Sequence, residues 1–193
     1  MRIGILALQG AFAEHREMLA TLGVRAELVR TPGGLDGLDG LVLPGGESTS
    51  MRRLAAWGGL DSALREFGAT RPVWGVCAGL ILMARRVEGE EPFAGLMDMA
   101  VARNAYGRQG ESFVADLHPG RLGGGPFPGV FIRAPRVVEA GPGVEVLARH
   151  DGCPVALVQG HLLATAFHPE LTPDPRMHAF FLEFCGFLAV SSG

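Results

Sequence analysis

A cysteine set between two glycines follows an apolar segment in the first half of the chain. Pro72 to Val76 has the pattern of a buried strand, and Cys77 stands where that strand gives way to a helix predicted from about Ala78 to Arg86. The order Gly-x-Cys-x-Gly is typical of a nucleophile elbow, a sharp turn that presents a side chain clear of the backbone beside N–H groups. The positive end of the helix favours the thiolate, the nucleophilic form of cysteine. The chain must therefore fit a strand, a tight turn and a helix in immediate succession.

A histidine and a carboxylate lie close together much further along the chain. His168, Pro169 and Glu170 follow a strand predicted from Leu162 to Phe167. Residues i and i+2 of an extended segment face the same side, and proline biases the preceding residue toward that conformation. We therefore expect Glu170 to lie beside His168. Together with Cys77, these side chains are the groups that covalent acyl transfer needs: a nucleophile, an acid–base and a carboxylate that orients it.

Apolar strand patterns alternate with helical patterns through the first half. Strands that are apolar throughout and separated by helices indicate a parallel sheet covered on both faces. We predict an α/β fold with a doubly wound, flavodoxin-like, mostly parallel sheet, whose ligand site lies at the carboxyl ends of the strands. Strands are predicted at Arg2 to Leu8, Ala26 to Arg30, Gly40 to Leu43 and Pro72 to Val76, with one helix ending at Gly23, one starting near Ser48 to Ser50 and one capped by Asp61.

The second half has shorter strand patterns and turn signals, which predict a small antiparallel appendage. Pro119 to Gly129 has the composition of a surface loop, and a helix from about Arg176 to Leu188 closes the chain. The length of 193 residues suits one domain over residues 1–193. The predicted strands are Ser112 to Asp116, Val130 to Arg133, Val137 to Ala140, Val144 to Ala148, Val155 to Val158 and Leu162 to Phe167, with hairpin turns at Asp151-Gly152 and Gln159-Gly160.

Composition excludes several classes of protein. The net charge of −3 gives no basic surface for nucleic acid, and no segment is long enough to span a membrane. All 17 basic residues are arginine, so the chain can neither form a lysine Schiff base nor supply a P-loop lysine. The three cysteines show no paired spacing, which suggests reduced thiols in the cytoplasm. We expect no metal site, because the remaining histidines lack ligand spacing: His15, His118, His150, His161 and His178.

Six segments spread over nearly the whole chain match one family in order. They are Gly4 to His15, Leu43 to Met51, Gly75 to Leu82, Arg103 to Gln109, Phe131 to Pro135 and Phe167 to Thr172. On these segments the chain resembles the class I, triad-type glutamine amidotransferases, and more narrowly the glutaminase subunits of pyridoxal 5′-phosphate synthases.

The resemblance implies hydrolysis of L-glutamine to L-glutamate and ammonia through a cysteinyl thioester, without a cofactor. Cys77 would be the nucleophile, His168 the acid–base and Glu170 the orienting carboxylate. Backbone N–H groups of Gly46 and Ala78 are the candidates for an oxyanion hole, and glycine at position 46 would let the backbone approach the ligand. The implied glutamine-binding residues are Gly46, Glu47, Ser48, Arg103, Ile132 and Arg133.

The resemblance also implies a partner. Pyridoxal phosphate synthesis needs imine chemistry, and a chain without lysine cannot supply it. We therefore expect a synthase subunit that contributes the lysines and receives ammonia directly. The Gln9-Gly10 turn, at the end of the first predicted strand, is where the family responds to this partner.

Alternative interpretations remain for these residues and for the function. Cys77 could be a buried packing residue, His168 and Glu170 an ion pair, Glu47 or Ser48 a helix cap, and Arg103 a solvated side chain. The chain could also be a glutaminase of another pathway such as imidazole glycerol phosphate synthesis, a glutamine-independent cysteine hydrolase or chaperone-like protein, or a binding subunit without activity. The combination of the elbow with His168 and Glu170 favours the glutaminase.

Overall fold

The computed structural model describes residues 1–103 and 112–191, and side chains through residue 186. Positions 104–109 of the predicted Arg103 to Gln109 motif lie outside the described residues. The strands are Ile3–Leu6 (β1), Glu27–Val29 (β2), Gly40–Leu43 (β3), Val73–Val76 (β4), Ala84–Val87 (β5), Met97–Ala102 (β6), Phe113–Leu117 (β7), Phe127–Phe131 (β8), Arg136–Ala140 (β9), Glu145–His150 (β10), Cys153–Gln159 (β11) and Leu162–Thr165 (β12). The helices are Phe12–Thr21 (α1), Ser48–Trp57 (α2), Leu60–Thr70 (α3), Ala78–Met83 (α4) and Arg176–Ser191 (α5), with 3-10 turns at Pro32–Leu35 and Pro169–Leu171.

The largest sheet in the described ranges has the order β10-β11-β12-β4-β3-β1-β2. The five strands from β12 to β2 run parallel to their neighbours, whereas β10 and β11 pair antiparallel. The chain changes direction across the sheet between β1 and β3, which is the point where such folds bind ligands outside the strand ends. This architecture confirms the predicted doubly wound α/β fold.

Helices cover both faces of this sheet, as the contacts of β4 show. Trp74 packs against His178 and Phe181 of α5 on one face. Its neighbour Gly75 points to the opposite face, where a Cβ atom would lie 2.6 Å from the Met83 sulfur of α4. Because successive strand residues alternate between faces, the β4 residues are buried alternately by the helices on one face and on the other.

Part of the predicted appendage belongs to the main sheet. β10 and β11 extend that sheet beyond β12, while β5, β6 and β9 form a separate three-stranded sheet and β7 and β8 form a hairpin. The helix predicted to end at Arg86 ends at Met83, and the next four residues form β5. Ala84 and Val87 are buried and the arginines between them are exposed, a spacing of three that fits a helix as well as an irregular strand.

Two local predictions, the cap of α3 and the loop before β8, were wrong. Asp61 does not cap α3, because Gly59 holds the N-cap position in the left-handed region at φ 69° and Asp61 lies in the first turn. The segment predicted as a loop up to Gly129 includes the start of β8, where the Phe127 side chain is fully buried. None of the helices in the described ranges is long and apolar enough to cross a membrane.

Candidate active site

A cavity of about 360 Å³ lies at the carboxyl ends of β1, β3 and β4, beside the segment that follows β12. Two larger surface depressions, of about 570 and 510 Å³, contain neither a cysteine nor a histidine. Every site residue predicted from the sequence lines the smaller cavity, except Glu170, which lies behind His168. The lining residues are Gln9, Gly46, Glu47, Ser48, Cys77, Ala78, Ile81, Arg103, Ile132, Arg133, Pro135 and His168.

Cys77 forms the sharp turn predicted for it. Its backbone has φ 49° and ψ −100°, a conformation that costs a non-glycine residue about 1–3 kcal/mol. The Cys77 N–H donates a hydrogen bond to the Thr165 carbonyl at 2.8 Å and so fixes the turn to β12. The Cys77 sulfur lies 3.9 Å from the Ile132 carbonyl oxygen. The elbow therefore presents the sulfur at the cavity while its backbone is anchored to the sheet.

The two glycines that flank the cysteine are required by close packing of α4. A Cβ atom on Gly79 would lie 2.0 Å from the Leu43 carbonyl oxygen, and one on Gly75 would lie 2.6 Å from the Gly79 carbonyl oxygen. Real Cβ atoms do not approach other atoms so closely. Only glycine at these positions lets α4 start directly above β3 and β4.

His168 and Glu170 are in contact, but not for the reason predicted. His168 Nδ1 lies 2.7 Å from Glu170 Oε1, and both side chains are buried. The segment is not extended: His168 precedes the 3-10 turn Pro169–Leu171, and that turn folds Glu170 back beneath the imidazole. The backbone N–H of His168 donates a hydrogen bond to the Val130 carbonyl at 2.8 Å, and this bond anchors the histidine to β8.

Opposing effects act on the protonation of His168. Burial disfavours the imidazolium, but interactions with Cys77 and Glu170 favour it more strongly and raise the pKa of His168 to about 10. The protonated imidazole lies beside Cys77 as a proton donor. His168 Nδ1 is used by Glu170, so the interaction with Cys77 belongs to Nε2, which is buried beside the cavity.

The turns after β1 and β3 pack against each other and against His168. Gly10 has φ 100°, and a Cβ atom there would lie 1.9 Å from the Gly45 carbonyl oxygen. A Cβ atom on Gly45 would lie 2.3 Å from His168 Cε1. At Gly46 a Cβ atom would meet Gln9 Oε1 at 2.5 Å, so this glycine makes room for Gln9.

Glu47 is the residue that caps α2. Its carboxylate accepts hydrogen bonds from the N–H groups of Thr49 and Ser50 at 2.9 and 2.8 Å. The bond from Thr49 is the main cause that lowers the pKa of Glu47 to about 2. Ser48 is the first residue of the helix and is buried, so it does not serve as the cap. Glu47 is therefore an anion at the edge of the cavity.

The predicted arginines have different environments. Arg103 forms an ion pair with Glu90, donates to Thr49 Oγ1 at 3.0 Å and lies 3.6 Å from Glu47 Oε1. Arg133 is exposed and has φ 44°, directly after the half-buried Ile132. The guanidinium of Arg103 is thus held in place at the cavity, whereas Arg133 borders it from a strained turn.

The two oxyanion-hole candidates both line the cavity. Ala78 is the first residue of α4, so its N–H has no acceptor within the helix and points away from it. The backbone N–H of Glu47, the residue after Gly46, already donates a hydrogen bond to Gln9 Oε1 at 2.7 Å. The side chain of Gln9 therefore links the turn after β1 to the turn after β3.

Sequence reasoning missed two histidines that lie behind the cavity. The sequence analysis noted only that His15 and His178 lack metal-ligand spacing and gave them no role. They are fully buried, lie 2.9 Å apart between their Nδ1 and Nε2 atoms, and His15 reaches the far side of Glu170. They are 163 positions apart in the sequence, so no local spacing could indicate the contact.

An α/β sheet with a cysteine elbow and a buried histidine–carboxylate pair at the strand ends is the arrangement of a glutamine amidotransferase. The family model described as "SNO glutamine amidotransferase family" matches residues 5–186, and the chain belongs to that family. Pyridoxal 5′-phosphate synthase subunit PdxT of Geobacillus kaustophilus is 54% identical over 185 residues, which cover 95% of this chain and 94% of the relative. The subunit of the same name from Thermus thermophilus is 52% identical over 189 residues, covering 95% and 97%.

Solved structures agree with the fold. A crystal structure described as a glutamine amidotransferase superposes with a TM-score of 0.91 at 48% identity, covering 95% of this chain and 98% of that one. A putative GMP synthase component from Thermoplasma acidophilum superposes with a TM-score of 0.73 at 19% identity, covering 100% and 98%. At that identity the second likeness concerns the fold alone.

The electrostatics of His168 can be measured directly. We predict that its ring stays protonated above pH 6.5 and loses its proton near pH 10, and that Cys77→Ala moves this titration to lower pH because one stabilising neighbour is lost. Since the folded pKa lies above the unfolded value of 6.5, the interaction stabilises the fold below pH 6.5 and is lost as pH rises toward about 10. Imidazole ¹⁵N NMR would follow the titration, and equal midpoints in both proteins would contradict the coupling.

Proposed function

We propose that this protein hydrolyses L-glutamine to L-glutamate and ammonia through a glutamyl thioester on Cys77. The observation that carries the proposal is the convergence of Cys77 and the His168–Glu170 pair on one cavity, in a chain of the glutamine amidotransferase family. A thiolate and an imidazolium beside the same cavity supply the nucleophile and the acid that amide cleavage needs.

The first half of the reaction forms the thioester. The Cys77 thiolate attacks the carboxamide carbon, and the carbonyl oxygen gains the negative charge. N–H groups of Gly46 and Ala78 would bind that oxygen, where each donor is worth about 3 kcal/mol in transition-state stabilisation. The carbon–nitrogen bond then breaks as His168 Nε2 gives its proton to the departing nitrogen, which leaves as ammonia.

The second half restores the enzyme. His168 is now neutral and takes a proton from water, whose oxygen attacks the thioester carbon. The carbon–sulfur bond breaks, the thiolate of Cys77 is restored, and glutamate is released with its new γ-carboxyl group. Glu170 holds Nδ1 of the imidazole throughout, so that Nε2 faces the reacting atoms and the charged ring is stabilised.

The charges around the cavity suit the amino-acid end of glutamine. A guanidinium has five N–H donors, and only part of this set in Arg103 is used by Glu90 and Thr49, so donors remain for the α-carboxylate. Glu47, anionic at the rim, offers a partner for the α-ammonium group. Ser48, Ile132 and Arg133 complete the proposed binding wall.

Two further proposals concern organisation. We propose that residues 1–193 form one domain, since the family match extends over residues 5–186, and a single cooperative unfolding transition would test this. We also propose a cytoplasmic location, supported by the free thiols of Cys77, Cys153 and Cys185, which cell fractionation would test.

Cys77→Ala should abolish glutamate formation while leaving the fold unchanged, because it removes only the nucleophile. Steady-state glutamate release with the partner synthase present is the measurement. Cys153→Ala is the matched control, since Cys153 is half-buried away from the cavity and should retain wild-type turnover. Wild-type turnover in Cys77→Ala would remove this residue from the mechanism.

Arg103→Ala should raise the KM for glutamine by about tenfold or more, the effect of losing a charged hydrogen-bond partner, with a smaller change in kcat. Arg53→Ala is the control, because Arg53 stacks on Trp57 and does not line the cavity. An unchanged KM in Arg103→Ala would assign this arginine to structure alone.

We propose that the ammonia passes directly to a synthase subunit that makes pyridoxal 5′-phosphate; the relatives are named as subunits of such a synthase. The absence of lysine supports this division, because imine chemistry then belongs to the partner. The hydrogen bond between Gln9 and Glu47 supports partner control of the glutaminase. A protein docked at the turn after β1 could move the turn after β3 through Gln9.

Glutaminase activity should therefore be low for the chain alone and increase when the synthase is added. Glutamate release is measured across a titration of synthase at fixed glutamine. Equal activity with and without synthase would refute partner activation, and cofactor formation from glutamine by this chain alone would refute the division of labour.

A further inference from the structure

The carboxylate of Glu170 is contacted by a histidine on each oxygen. Oε1 lies 2.7 Å from His168 Nδ1, as described above. Oε2 lies 3.6 Å from Nε2 of His15, and neither of these two atoms has a hydrogen-bond partner among the described residues. His15 comes from α1 and His178 from α5, and both are fully buried outside the cavity lining. Two unpaired buried polar groups thus face each other behind the proposed triad.

The contacts restrict where the ring protons can be. A carboxylate can only accept, so His15 Nε2 carries its proton toward Glu170, and His15 Nδ1 is left as a lone pair. That lone pair must accept the N–H of His178 Nε2, 2.9 Å away. The reverse assignment would direct a lone pair at the carboxylate and leave a buried N–H unpaired on His178 Nδ1, which costs more than an unpaired lone pair.

The surroundings keep both rings neutral and fixed. Burial, reinforced by the neighbouring His178 and His168, lowers the pKa of His15 well below its usual value, and burial lowers the pKa of His178 to about 3. Trp74 packs edge-on against both rings, with centroids 5.4 and 4.8 Å away, and its own N–H donates to Thr165 Oγ1 at 3.2 Å. Within the described ranges, no three histidine, cysteine, aspartate or glutamate side chains are grouped so that they could hold a metal ion.

We propose that His15 and His178 are positioning residues that hold Glu170 for catalysis, a role that rests on the function proposed above. At 3.6 Å the His15 contact is longer than a formed hydrogen bond, so in the resting state its N–H acts on the carboxylate as an oriented dipole. After His168 gives its proton to ammonia, Glu170 loses its positive neighbour. His168 Nδ1–H still donates to Oε1, and the N–H of His15 is then the second donor, which faces Oε2, stabilises this buried anion and keeps it directed at His168.

Paired substitutions test this role. His15→Leu fills the buried site with an apolar side chain and removes the N–H donor. We expect kcat for glutamine hydrolysis in the synthase complex to fall about tenfold or more, with KM changed less than about twofold. His15→Gln places an amide N–H near the position of Nε2 and should keep more of kcat than His15→Leu. His178→Leu should lower kcat in the same direction, because His15 loses the donor that fixes its tautomer.

The controls separate positioning from stability and from the proposed function. His161→Leu removes a histidine that bonds the Gly68 carbonyl outside the cavity lining, and it should keep wild-type kcat. Equal kcat losses in His15→Leu and His15→Gln at matched Tm would assign His15 to packing and overturn the proposal. Wild-type kcat in His15→Leu, with Cys77→Ala inactive, would overturn the positioning role alone, whereas an active Cys77→Ala would overturn both it and the proposed function.

The wild-type protein provides a test that needs no variant to fold. Two-bond ¹H–¹⁵N spectra of the imidazole rings should show His15 and His178 as neutral Nε2–H tautomers at neutral pH. An Nδ1–H tautomer or a charged ring at His15 would contradict the proton arrangement and with it the positioning role.

Discussion

The close approach of α4 to the ends of β3 and β4 is the constraint on which the site depends. Gly79 lies so near the Leu43 carbonyl that no side chain fits between them, and this contact fixes where α4 begins. Cys77 must then make the turn in a strained conformation, which its N–H bond to Thr165 holds in place. The strain is retained because the sheet and the helix both fix the residue, and its effect is to project the sulfur into the cavity.

A second constraint is the buried negative charge of Glu170. An isolated buried carboxylate is unfavourable, so its oxygens need donors or a positive neighbour. His168 supplies the neighbour, and its raised pKa reflects the same interaction seen from the imidazole. His15 faces the other oxygen from α1. The charge beside the His168 imidazole is therefore supported from the core as well as from the cavity.

Much of the fold and the site lining could be predicted because the signals are local. Uninterrupted apolar strands, the elbow glycines and the sequence around His168 each act over a few residues. Apart from the local errors at Asp61 and at the end of α4, the errors arise because the deciding contacts are distant in the sequence. Nothing near β10 and β11 indicates that they join the main sheet, and the turn that brings Glu170 under His168 depends on its anchor to Val130. The contact between His15 and His178 is an extreme case, since the two come from opposite ends of the chain.

The role of Cys77 as the nucleophile toward the side chain of glutamine is the central claim. The most direct measurement treats the complex with 6-diazo-5-oxo-L-norleucine, an electrophilic analogue of glutamine, and locates the adduct by peptide mass spectrometry. We predict one adduct per chain, on Cys77, with glutamine slowing its formation and with Cys153 and Cys185 unmodified. An adduct on another cysteine, or labelling of Cys77 that glutamine does not slow, would contradict the claim.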